Sequence, residues 1–375
     1  NAGHNHPKIR QAIIDQAKSG LLTSYCFPNQ PRAALAELLV KVTPPGLTKV
    51  FILTTGSETV ECCLKLMRTN GLSKFGKNKI TIVSFLNAFH GRTLGAQQLG
   101  GISKLKEWIV NLDPDIVQVP FPDGFRNKDV DFSAFERELA SQGVKPENVA
   151  GVIMETYQGG GASFAPEAYI QALRQWCDKY HALLAFDEVQ AGFGRCGKMF
   201  GFELYGVVPD LVCFGKGISS SLPVSAVVGR EEVMNLYGPN EMTSTHTGNP
   251  VCAAAAVANI QAIIAEKLVD NAAAMGKVLH DGLEGLKAKY DLVIGSVQGK
   301  GLVAGVHIIK PGSIEPDGNL AWEIVNSCVQ KGLLMFAPVG FGGATVKINP
   351  PLCVNRDQIE EGLSVLDEAI EENIS

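Results

Sequence analysis

A chain of 375 residues, 46% of them apolar, is longer than a single core usually serves, so one large and one smaller domain are expected. The net charge of -5 comes without a basic stripe, which sets nucleic acid aside as a partner, and no apolar run reaches the roughly 18 residues of a membrane helix. Nine cysteines without a framework of spacings, Cys62 and Cys63 adjacent among them, point to free thiols in a reducing cytoplasm; no secretory leader and no zinc-type cluster is visible.

The chain opens Asn1-Ala-Gly-His-Asn-His-Pro7 and enters an amphipathic helix over residues 8–18, with His4 and His6 as turn and capping residues. After Ser24-Tyr25-Cys26-Phe27-Pro28-Asn29 a second helix is predicted over 31–42, stopped by Pro44-Pro45-Gly46. Tyr25 and Phe27 either line the mouth of a site or belong to a core. Residues 50–53 read as a strand, followed by Thr54-Thr55-Gly56-Ser57-Glu58 and a helix to about residue 70. Free amides at a helix start, a glycine and a hydroxyl form a phosphate cradle, so Gly56 and Ser57 are candidate phosphate contacts; Ser57 as a plain N-cap is the alternative. A β-rich run over 79–85 leads to Ala88-Phe89-His90-Gly91-Arg92, and residues 94–148 read as surface helices around a Pro120–Gly124 turn.

A buried strand over 149–154 ends in Glu155 and is followed by Tyr157-Gln158-Gly159-Gly160-Gly161. The glycine spacing is not that of a dinucleotide-binding turn, and no strand with an acidic end follows about 20 residues on, which disfavours a Rossmann dehydrogenase. A helix over 165–181 returns the chain to its most informative stretch. There Leu183-Leu-Ala-Phe-Asp187-Glu188-Val189-Gln190 and Pro209-Asp-Leu-Val-Cys-Phe-Gly215-Lys216-Gly217 each present an apolar run ending near a charge, the pattern by which buried parallel strands deliver side chains to a ligand-binding sheet edge. Lys216 lies between glycines, open to close approach, and desolvation there would lower its pKa toward a nucleophilic amine, which suggests Schiff-base chemistry. Beyond it come a strand over 222–229, the turn Met242-Thr-Ser-Thr245-His-Thr-Gly-Asn-Pro250, an alanine-rich helix to about 266, a long helix, strands over 302–309, 333–336 and 345–348, and a helix over 357–370.

Asp187-Glu-Val-Gln190 followed by Phe-Gly-Lys216-Gly-Ile resembles the signature of the class-III, or ω, pyridoxal-phosphate-dependent aminotransferases of fold type I, and the likeness extends over essentially the whole chain. It implies an α/β fold: a large domain with a mostly parallel seven-stranded sheet over 20–253, a smaller α+β domain over 254–375, and 1–19 as the N-terminal part of the small domain, with the arm that precedes it in relatives missing. It implies pyridoxal 5'-phosphate as cofactor. Lys216 would take up the cofactor aldehyde and then shuttle the proton, and Asp187 would keep the pyridine nitrogen protonated. Gly56 and Ser57 would hold the phosphate, Phe89 would stack on the ring with His90 beside it, Val189 would cover the opposite face and Gln190 would meet the ring hydroxyl. Glu155 and Gln158 would lie near the cofactor, and Arg195 would brace its loop. Thr245 would reach the phosphate across the interface of a homodimer, which could assemble further to a tetramer. The implied reaction is ping-pong amino transfer from an ω-amino acid or amine to pyruvate or 2-oxoglutarate; a racemase or epimerase on the same fold is the alternative. The chain departs from the pattern at Gly160, where relatives carry a gating glutamate, and at Lys347, where they carry an arginine. Lys347 is expected either as an unpaired, loosely gripping carboxylate anchor or as a solvent-facing residue of an alternating strand.

Overall fold

Long apolar runs of β-branched and aromatic residues produce a central sheet buried on both faces. The computed structural model describes residues 1–374; Ser375, the last residue of the expected small domain, lies outside the described residues. The strands are β1 (Lys49–Leu53), β2 (Thr81–Phe85), β3 (Ile116–Val119), β4 (Val149–Glu155), β5 (Tyr157–Gln158), β6 (Ser163–Phe164), β7 (Leu183–Asp187), β8 (Leu211–Phe214), β9 (Ser225–Gly229), β10 (Ile294–Lys300), β11 (Val303–Ile308) and β12 (Thr345–Ile348). The helices are α1 (Pro7–Lys18), α2 (Gln30–Val42), α3 (Gly56–Phe75), α4 (Leu94–Leu99), α5 (Ser133–Ser141), α6 (Glu167–Tyr180), α7 (Glu231–Met234), α8 (Pro250–Ala265), α9 (Leu268–Lys289), α10 (Gly318–Gln330) and α11 (Arg356–Ile374).

Seven strands form the large sheet in the order β1-β9-β8-β7-β4-β2-β3. β9 runs antiparallel to both its neighbours, and the other adjacent pairs are parallel. Every residue of β4, β7, β8 and β9 is buried, as expected where helices cover both faces. Behind the carboxyl ends of β7 and β8 sits an aromatic cluster in which Phe193 and Phe200 lie 5.2 and 4.8 Å from Phe214, and Phe186 lies 6.0 Å from Phe202. Such pairs add about 0.5–1.5 kcal/mol each beyond their burial and hold the strand ends rigidly.

The smaller sheet is antiparallel, β10-β11-β12, and is packed by α9 and α10, on which α11 lies in turn. One expected strand is corrected, and two strands are added. Residues 333–336 form no strand: they have no ladder partner, and Leu334 and Phe336 are exposed. β10 was hidden because glycines at 295 and 299 interrupt its apolar pattern, and β3 because it has four residues between a turn and Pro120. The boundary expected between residues 253 and 254 lies within α8, one unbroken helix that packs on α1, α2 and the turn at Lys216, in keeping with the expected lack of a linker.

Candidate active site

Residues from several strands meet at the carboxyl edge of the large sheet, the usual ligand position in such folds. Glu155 ends β4 and pairs in register with Asp187 at the end of β7, which pairs in turn with Cys213 on β8. Lys216 follows three residues beyond Cys213, at φ 37°, a left-handed conformation costly for a lysine and characteristic of functional turns. Asn259 of α8 holds that turn by donating to the Gly217 and Ile218 carbonyls at 2.8 and 2.9 Å. The Lys216 side chain opens into the cleft yet is surrounded mostly by protein; burial lowers its pKa, against the raising effect of the Asp187 and Glu155 charges.

Asp187 is buried, with Oδ2 2.9 Å from His90 Nδ1 and Oδ1 accepting from the Val189 amide at 3.0 Å. Burial pulls the His90 pKa down, but the hydrogen bond and charge of Asp187, aided by Glu155, prevail and raise it. Burial raises the Glu155 pKa, while Oε2 accepts from the Phe89 amide at 2.9 Å and Oε1 from the Gly159 amide at 3.0 Å. Gln158 is buried and donates to the Leu86 carbonyl at 2.7 Å, so it fixes the segment that carries Phe89 and His90. Phe89 is half-buried, with the Arg92 guanidinium 5.7 Å from its ring centre.

The start of α3 is capped by Thr55, whose side chain accepts from the Glu58 amide while Glu58 accepts from the Thr55 amide at 2.7 Å. Ser57 is thereby relieved of the capping role. The Gly56 and Ser57 amides are left without intrahelical acceptors, as the first turn of a helix requires. The Ser57 hydroxyl accepts from the Arg92 amide at 3.2 Å, and Ser225 on β9 anchors the turn through the Thr55 carbonyl at 2.8 Å. A Cβ on Gly91, at φ 130°, would fall 2.2 Å from Ser57 Oγ, and one on Gly56 would fall 3.0 Å from Val189, so the cradle tolerates no side chain at either place.

Lys347 departs from both of its expected roles. It is 8% exposed, because residues 345–347 of β12 are all buried, so strand alternation does not carry it to solvent. Nor is it unpaired: Nζ donates to the Gly159 carbonyl and to Gln190 Oε1, each at 2.6 Å. Burial lowers its pKa to about 8. Gly160 is closely covered, since a Cβ there would lie 3.0 Å from Gly340 Cα; no side chain fits without moving the 340 loop.

Other expected residues remain apart from this cluster within the chain. Tyr25 and Phe27 are 51% and 70% exposed, and Thr245 is exposed on its loop. Sequence reasoning missed Arg32, which ties their segments together by donating to the Tyr25 and Thr247 carbonyls, both at 2.8 Å, and to those of Phe27 and Gly248, both at 3.3 Å. It also missed Glu188, which is buried facing away from the cleft and accepts from the Gly201 and Phe202 amides at 2.8 and 2.9 Å, its pKa pushed up by burial to about 7. Asn259 carried a usable signal as a polar amide in a largely apolar helix; Arg32 carried none. Arg195 braces its loop as expected, donating to the Leu302 and Pro350 carbonyls at 2.8 and 2.5 Å.

A mostly parallel sheet with an aspartate and a lysine at neighbouring strand ends and a bare helix start opposite defines a fold-type-I pyridoxal-phosphate enzyme. Residues 1–370 match the family Aminotransferase class-III, and the chain belongs to that family. It is 31% identical to the alanine/serine racemase of Pyrococcus horikoshii, over 100% of this chain and 80% of that protein. It is 33% identical to the acetylornithine aminotransferase of Methanopyrus kandleri, over 98% of this chain and 86% of that one. Among solved structures it resembles a PLP-bound amine transaminase from an uncultivated Pseudomonas species, with TM-score 0.90 and 27% identity, over 99% of this chain and 88% of that one.

The donor set fits pyridoxal phosphate. The free amides of Gly56 and Ser57 suit its phosphate, the buried Asp187 carboxylate its protonated ring nitrogen, Lys216 Nζ its aldehyde, and Phe89 and Val189 its flat faces.

Proposed function

We propose that the chain moves an amino group from an ω-amino acid or amine to a 2-oxo acid by a ping-pong route, with pyruvate serving at least as well as 2-oxoglutarate. The observation that carries this reading is the strand-end pair of Asp187, buried with His90 and Glu155, and Lys216, whose side chain opens into the cleft beside them. Bound there, pyridoxal phosphate supplies an aldehyde for a primary amine and a ring that accepts the electron pair freed when a C–H bond breaks. The protein does the rest. Lys216 Nζ, its pKa lowered, takes and returns the proton at the reacting carbon, and Asp187, backed by His90, holds a proton on the ring nitrogen. The acceptor preference is supported by Gly160, which offers no carboxylate gate, and by Lys347 and Arg195, both engaged by protein oxygens rather than free to grip a second carboxylate.

The site is completed in a homodimer in which Thr245 reaches the partner's phosphate. This is supported by exposed Leu21, Leu22, Tyr25 and Phe27 on the segment that Arg32 and Asn249 join to the Thr245 loop. Nine free cysteines suit a reducing cytoplasm. Incubating the purified protein with one enantiopure amino acid, with and without pyruvate, tests the reading. Amino transfer gives alanine and a new oxo acid only when pyruvate is present. Appearance of the opposite enantiomer without pyruvate would instead favour a racemase, the activity named for the Pyrococcus horikoshii relative.

A further inference from the structure

Lys347 stands where substrate recognition was expected, yet its bonds point to a different task. Its ammonium can only donate, so the Gln190 atom it meets at 2.6 Å has to be the amide oxygen. That fixes the orientation of a group that would otherwise present either end. Nε2 of Gln190 then packs against Gly159, where a Cβ would come within 2.2 Å of it, and finds no protein acceptor among the described residues. The second bond of Lys347, to the Gly159 carbonyl, closes a chain of contacts that runs back through the Gly159 amide to Glu155 and from Glu155 to the Phe89 amide. The segments expected around the cofactor are thus joined through one lysine.

We propose that Lys347 is a positioning residue: it holds the Gln190 carboxamide so that Nε2, a donor, is the atom left for the phenolic oxygen of pyridoxal phosphate. This rests on the cofactor assignment above. An unheld glutamine could turn its oxygen toward that phenolate and repel it; the lysine removes that state. The same engagement withdraws Lys347 from the substrate, because two of its three protons go to protein oxygens and the Tyr157 ring lies 5.8 Å away.

The test is equilibrium titration of cofactor-free protein with pyridoxal phosphate, together with the pH at which the bound cofactor's visible band titrates. Lys347→Met and Gln190→Leu should each weaken binding about tenfold and shift that titration upward. The double variant should be no worse than the weaker single one, since both remove one interaction. Lys347→Arg should restore binding to within about threefold. Gln190→Glu keeps an oxygen for Lys347 but deletes the donor, and should weaken binding as much as Gln190→Leu; it decides the matter even if Lys347→Met fails to fold. The proposal is overturned if the two losses multiply toward a hundredfold, if Gln190→Glu binds like wild type, or if Lys347→Met leaves affinity and titration alone while raising KM for dicarboxylic oxo acids. A wild-type chain that takes up no pyridoxal phosphate overturns the cofactor assignment itself, a separate result read from the first titration.

Discussion

The floor of the cleft and its rim are built on opposite terms. On the floor, Asp187, Glu155, His90, Gln158 and Lys347 are all buried and bonded within one chain. On the rim, Tyr25, Phe27 and Thr245 are exposed, and their segments are joined chiefly through main-chain carbonyls gathered by Arg32. Burial fixes pKa values and orientation, which cofactor chemistry requires; exposure leaves a surface for something else to complete. Within the chain the buried charges are gathered at the floor, while the rim segments stand open to solvent.

The largest effect should come from the floor. Lys216→Ala should lower turnover by about a thousandfold or more, because the group that moves the proton is gone, while cofactor still binds without a covalent link; wild-type rates in a steady-state assay would remove Lys216 from the mechanism. Asp187→Ala comes next. Breaking its pair with His90 should cost about 3 kcal/mol or more, read as weakened cofactor retention and slower turnover, and normal turnover with full cofactor would contradict it.

Rim variants should be milder and should act between chains. Thr245→Ala should loosen the phosphate by about 1–2 kcal/mol. Mixing it with Lys216→Ala protein should restore one working site per mixed dimer, whereas no recovery, with subunit exchange verified, would place Thr245 in its own subunit's site or in none. The smallest expected effect is a pH dependence. The folded pKa of His90 is raised above 6.5, so the stability it contributes is fully present below pH 6.5 and is lost as pH rises through the folded value. The advantage of wild type over His90→Gln in thermal unfolding of cofactor-free protein should then shrink by about 1 kcal/mol from pH 6 to pH 9; an advantage growing with pH would reverse the sign of the argument.

The floor was more legible in the sequence than the rim, for a physical reason. Buried parallel strands leave a local trace, an apolar run with a charge at its end, and β4, β7 and β8 with Glu155, Asp187 and Lys216 could be read that way. Thr55 as the cap could not be read in advance, because Thr55 and Ser57 are equally suited by type, and only the backbone tells which one precedes the first turn. Lys347 was out of reach for another reason. Strand alternation assigns a face but not what covers that face, and the partners of Lys347 lie far away in sequence, at Gly159 and Gln190. Arg32 likewise acts through carbonyls that any residue provides, which leaves no pattern to read.

The most direct test of the central claim is to load the protein with pyridoxal phosphate, reduce it with borohydride, digest it and map the cofactor by mass. The account predicts one cofactor per chain, fixed on Lys216 alone. Fixation on Lys347 or another lysine, or none at all on a folded chain, would contradict it.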